Sequence, residues 1–146
     1  MGMVDISDKQ VTKRVARAEG KVIFSPKAYR IFLKQGSPKG NTLEIAKIAG
    51  IMAAKNTPSL IPFCHPLSLE KVSVAFEHFR SRNTVKVVAE VSASGKTGVE
   101  MEALSAVSAA CLTIYDMMKF TGQDITIAGI RLMHKSGGTS GQRDRH

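Results

Sequence analysis

Between Gly98 and about Phe120, apolar residues recur at helical spacing, with Ala103, Val107, Ala110, Ile114 and Met117 on one stripe. A stripe of this length predicts a long helix that must lie on a partner surface. Glu100 and Glu102 in its first turn and Lys119 in its last suit the helix dipole, and Gly122 ends it. The surface is encoded just before it. Val85, Val87, Ala89 and Val91 alternate with other residues, as do Val72, Val74 and Phe76. Ser81-Arg82-Asn83 lies between the two runs, so they predict a hairpin.

The remaining segments complete one pattern. Lys21-Val22-Ile23-Phe24 reads as a short strand. Ser25-Pro26 reads as the cap and first turn of a helix running to about Lys34. A loop over Gln35–Gly40 leads to Asn41, which caps a second helix with Glu44 in a capping-box arrangement. The apolar stripe expected there is Ile45, Ile48, Ala49 and Met52, with Lys47 off the stripe and Gly50 marking close packing against a neighbour. Pro58 to Pro66 reads as a loop, and Ile125 to Met133 as the last strand. The order β-α-α-β-β-α-β predicts a ferredoxin-like α+β fold on the split βαβ plan, an antiparallel sheet with helices packed on one face. The expected organisation is a single domain over 20–134, between a flexible N-terminal arm at 1–19 and a flexible Gly/Ser-rich tail at 135–146.

A chain of 146 residues with 43% hydrophobic content can bury a core without staples. Two cysteines, Cys64 and Cys111, make no disulfide framework and favour a reducing compartment. No stretch reads as a membrane span, and the start lacks the plan of a signal peptide, so a cytoplasmic protein with no membrane partner is expected. The net charge of +9 attracts polyanions, either nucleic acid or a small substrate bearing several phosphates, or is a solvated basic surface with no specific partner.

Several positions suit the second choice. Gly95-Lys96-Thr97 opens the long helix; it is not a Walker motif, since Glu90 stands where a glycine is needed. The turn is either an anion site at a helix N-terminus or a plain strand-to-helix connection. Lys135-Ser136-Gly137-Gly138-Thr139-Ser140-Gly141 either wraps phosphates with backbone N–H groups and a lysine or is a free tail. His65, between Pro62 and Pro66, is presented on a stiff loop for substrate contact or proton transfer, or is structural. Cys64, Cys111, His78 and His134 form no metal-ligand pattern. Asp116 and Lys119 share a helix face as an acid–base pair or a surface ion pair. Glu102 and Asp116 lie about 21 Å apart along the axis at 1.5 Å per residue, so sites at both ends of this helix would draw their other residues from another chain. An RNA-binding module on the same fold is disfavoured, because Asn83 to Ser94 shows no aromatic on which a base would stack.

Together these blocks resemble the family of cyclic pyranopterin monophosphate synthase. The resemblance is carried by Met3–Ser7, Lys39-Gly40, Ile48–Ile51, Leu60–Leu67, Gly95–Leu104, Tyr115–Met117 and Lys135–Gly138, and runs from about Met3 to Gly141. It implies a lyase of molybdenum cofactor biosynthesis that rearranges a cyclised dihydro-GTP into cyclic pyranopterin monophosphate and releases pyrophosphate. It implies a hexamer, a trimer of dimers, with sites between subunits and no nucleic acid partner. Position by position it assigns Asp116 and Lys119 as a catalytic pair, with Lys39 and Lys135 as essential lysines. It assigns substrate contact to Phe63, Cys64 and His65, to Met101 and Glu102 with Glu100 beside them, and to Arg14 and Arg17. Phe63 stands where leucine is common. No metal site is implied, and Mg2+ is expected only as the companion of the triphosphate.

Overall fold

The computed structural model describes all 146 residues. The elements are β1 (Thr12–Phe24), α1 (Pro26–Lys34), α2 (Thr42–Lys55), α3 (Thr57–Leu60), β2 (Leu69–Phe79), β3 (Thr84–Gly95), α4 (Glu100–Met118), β4 (Ile125–Ser136) and β5 (Arg143–Asp144), with single 3-10 turns at Arg80–Arg82 and Lys119–Thr121. The sheet is ordered β2-β3-β1-β4-β5, and every neighbouring pair is antiparallel. This is the ferredoxin-like α+β arrangement expected from the element order. Val85, Val87, Ala89 and Val91 are fully buried, as is most of the stripe Ala103, Val107, Ala110 and Ile114 that α4 lays on them. One core of 24 residues unites sheet and helices.

Local chemistry sets the helix starts as expected. Ser25 accepts from the Ala28 N–H and Asn41 from the Glu44 N–H. Asn83 takes a left-handed conformation at the β2–β3 turn, a role suited to its short polar side chain. The expected loop before Pro66 contains one extra element, the short helix α3.

Three expectations are corrected. The arm does not extend to residue 19, because β1 begins at Thr12 and is a central strand. Its inward residues Ala16, Ala18 and Gly20 are too small to raise an alternation signal, while Arg17, Glu19 and Lys21 face the other way. At the other end β4 runs to Ser136 and Arg143–Asp144 form β5, so the domain boundary at 134 also moves. Most instructive is α2. It buries Thr42, Ala46, Gly50 and Ala54, whereas Ile48 and Met52 are 57% and 56% exposed and Ile45 is also exposed. A row of small residues lets α2 approach α4 closely: a β-carbon at Gly50 would lie 2.9 Å from the Ala106 carbonyl oxygen and 3.0 Å from Val74 Cγ2. The large side chains are turned outward by that packing.

By length and composition alone Glu100–Thr121 would pass for a span, with a mean hydropathy of 1.2 over an 18-residue window, but it is a core helix of the domain. Its apolar content is accounted for by the stripe it packs on the sheet.

Candidate active site

Polar groups gather at the two ends of α4. At its C-terminal end the Gln35–Gly40 loop is fastened to the helix by Ser37, whose hydroxyl donates to the Met117 carbonyl at 2.7 Å and accepts from the Lys39 N–H at 3.1 Å. This brings Lys39 Nζ to 2.6 Å from Asp116 Oδ2, while Lys119 Nζ lies 2.7 Å from Asp116 Oδ1. All three side chains are about half exposed. An acidic residue near a helix C-terminus is electrostatically disfavoured, and the two ammonium groups reverse that. Hydrogen bonds from Lys119 and then Lys39 hold the Asp116 carboxyl down to about 2. The same contact with Asp116 raises Lys119 above the ordinary lysine range. The cluster therefore presents a fixed anion between two ammonium groups.

At the N-terminal end β3 delivers Gly95 to a turn that leads into α4. Thr97, Gly98 and Glu100 line a cleft of about 550 Å³ with Asp8, Lys9, Gln10, Thr12, Arg14, Lys135, Gly138, Thr139 and Ser140, and no hydrophobic residue. Arg14 is fixed by its Nε, which donates to the Gly95 carbonyl at 3.1 Å. Lys135 forms an ion pair with Glu100. Gly98 permits this, because a β-carbon there would collide with the Glu100 carboxylate folded over it. Burial raises the Glu100 carboxyl, but the hydrogen bond and charge of Lys135, with Arg14 behind, leave it lowered on balance. The Gly95–Gly98 turn and the Lys135–Gly141 segment are thus walls of one cation-bearing cleft.

A second cleft, more apolar, adjoins the first through Lys9, Thr97, Gly98 and Glu100 and is completed by Val4, Ile6, Ile61, Phe63, Cys64, His65 and Met101. The Ile61–Pro66 loop is held by the Cys64 N–H, which donates to the Ile61 carbonyl at 3.1 Å. Behind it Glu102 is 1% exposed, and its Oε2 has no hydrogen-bond partner. Its other oxygen, Oε1, lies 4.0 Å from Cys64 Sγ. Burial, with a smaller push from Glu100, raises the Glu102 carboxyl. Burial first, then Glu102 and Glu100, also raise the Cys64 thiol, so it is not a reactive thiolate. The N-terminal segment covers this cleft and is tied down by Lys96, whose Nζ donates to the Ser7 carbonyl at 2.8 Å.

The structure brings together most of the expected residues in two groups. Lys39, Asp116 and Lys119 form one; Phe63, Cys64, His65, Glu100, Met101, Glu102, Arg14 and Lys135 form the other. Within one chain the two do not meet. Arg17 joins neither, because it lies on the face of β1 opposite Arg14 and is exposed. Asp8, Lys9, Gln10, Thr12 and Gly98 line the clefts but were not singled out as candidates from their own sequence signals. Gly98 follows directly on the Gly95–Thr97 turn that was, whereas nothing local marks Lys9. No three His, Cys, Asp or Glu side chains come together as a metal site.

A family model described as the MoaC family matches residues 3–138. A cyclic pyranopterin monophosphate synthase of Parvibaculum lavamentivorans is 52% identical over 95% of this chain and 87% of its own length. Proteins of the same name from Methylobacterium sp. (strain 4-46) and Pelotomaculum thermopropionicum are 52% and 47% identical, over 95% and 98% of this chain and 87% and 84% of their own lengths.

Proposed function

The chain belongs to the MoaC family, and from that premise we propose that it is a cyclic pyranopterin monophosphate synthase. It acts in molybdenum cofactor biosynthesis on cyclised dihydro-GTP and releases pyrophosphate. The observation that carries this reading to the site is the cleft in which Arg14, Lys9 and Lys135 face the Gly95–Gly98 turn, beside the His65 loop. A triphosphate suits the first cleft and a purine-derived ring the second.

The chemistry follows from these groups. Rebuilding the ring system requires proton transfers, for which His65, the carboxylates and Lys119 are available. Cyclic phosphate formation joins a substrate hydroxyl oxygen to the phosphorus that carries the diphosphate. The bond to the diphosphate breaks, the hydroxyl proton passes to a base, and charge grows on the leaving oxygens. Lysine and arginine side chains stabilise that charge. A magnesium ion brought by the triphosphate would supply neutralisation of the charge that grows on the phosphate oxygens.

The complete site is shared between subunits of a homo-oligomer, a hexamer built as a trimer of dimers. Two features support this. The Asp116 cluster and the Glu102 cleft sit at opposite ends of α4, and the outward stripe of α2, Ile45, Ile48 and Met52, is left uncovered in one chain. A cytoplasmic location follows from the reading, because the substrate derives from GTP.

The test is turnover of cyclised dihydro-GTP by the purified protein, with pyrophosphate and cyclic pyranopterin monophosphate measured together. Equal release of both is expected. A folded oligomer that yields neither product overturns the reading.

A further inference from the structure

Beyond Gly138, where the family match ends, the chain turns back along β4. β5 pairs with it so that Lys135 faces Arg143 and His134 faces Asp144. His134 Nδ1 donates to Asp144 Oδ1 at 2.6 Å, and Gln142 Nε2 donates to Oδ2 at 2.8 Å. An ionised carboxylate only accepts, so this ring carries its proton on Nδ1. The bond to His134, then that to Gln142, holds the Asp144 carboxyl below its ordinary range. Arg145 adds two bonds, from its N–H to the Met133 carbonyl at 2.8 Å and from Nε to the Leu132 carbonyl at 3.2 Å.

The turn enclosed by this pairing is a wall of the cation-bearing cleft. Gly138, Thr139 and Ser140 line the cleft with Lys9, Arg14 and Lys135. Gly137 and Gly138 have φ of +96° and +73° and press on the Lys13 carbonyl and the Arg14 guanidinium, where no β-carbon fits. A glycine-rich turn has much conformational freedom to lose on ordering. A two-residue strand restrains it weakly, and the side-chain bridge behind it supplies the rest.

We propose that Asp144 is a positioning residue, whose bridge to His134 holds the Gly137–Gly141 turn in place as the phosphate-facing wall of the cleft. This rests on the function proposed above only in naming phosphate as the ligand.

The test uses the full-length oligomer and begins with a measurement that needs no substrate. Amide hydrogen exchange is followed across Gly137–Arg145 in the wild type, Asp144→Ala and Asp144→Asn. The alanine variant is expected to exchange about three- to five-fold faster there, as suits an exposed ion pair. Asparagine, which keeps an acceptor for Nδ1, restores part of the protection. Inorganic pyrophosphate binding weakens by a similar factor in Asp144→Ala, and KM rises more than kcat falls. Exchange and pyrophosphate affinity equal to wild type in Asp144→Ala overturn the proposal. A wild type that makes no product, yet shows the exchange response, leaves the clamp standing and removes the function proposed for the cleft.

Discussion

Lys39 and Asp116 lie 77 positions apart in the chain and 2.6 Å apart in space. Ser37 makes the meeting possible by bonding the loop to the last turn of α4. With Lys119 on its other oxygen, the aspartate is an anion throughout the range in which enzymes are assayed. It bonds both lysines, and the contact raises Lys119.

Asp116→Asn is therefore expected to lower kcat/KM by about 10²-fold or more. It also removes the anion that raises Lys119, so the alkaline limb of the pH–rate profile moves to lower pH. The acid limb does not belong to Asp116, which titrates at about 2. An alkaline limb that stays in place would remove Lys119 from the role of proton donor.

Glu100 occupies the ammonium of Lys135 in the free chain. Glu100→Gln frees that charge, and inorganic pyrophosphate is expected to bind a few-fold tighter by calorimetry. Lys135→Ala has the opposite effect and lowers kcat/KM by roughly 10²-fold, the scale for losing one donor to a developing anion. Tighter pyrophosphate binding in Lys135→Ala would contradict the assignment.

The Glu102 carboxyl is raised by burial and lacks a partner on Oε2. For an acid raised in the folded state, the favourable contribution is present below the unfolded value near 4.5 and is lost as pH rises through the folded value. Glu102→Gln carries no such charge. Its Tm should match wild type near pH 4.5 and exceed it at pH 8, unless lost activity is accompanied by lost stability at both pH values, which would show a structural bond the free chain does not display.

Gly50→Ala places a methyl group against the Ala106 carbonyl and Val74. We expect destabilisation of about 1–3 kcal/mol by urea unfolding, the usual cost of overpacking. A neutral effect would mean that α2 shifts away from α4 without loss.

Ile48→Glu on the outward stripe of α2 tests assembly. It is expected to yield a smaller particle by light scattering with an unchanged circular dichroism spectrum, and to lose turnover because a shared site is incomplete. An unchanged particle size would move the subunit interface elsewhere.

The sequence alone determined the elements whose signals are local. Caps at Ser25 and Asn41, alternation in β2 and β3, and the stripe of α4 each depend on residues close in the chain. Of the candidate site, the Asp116–Lys119 pair was legible because three positions on a helix face make neighbours. Tertiary structure decided the rest. The first half of β1 is a strand because β3 pairs with its backbone and α4 packs on small side chains whose own pattern is weak. The outward turn of Ile48 and Met52 follows from the fit of Gly50 against Ala106, a contact between helices distant in sequence. Lys39 reaches Asp116, and Lys135 reaches Glu100, only after the chain has folded. Periodicity reports which face of an element is apolar; which neighbour that face meets is settled by packing, where close approach favours the smallest residues.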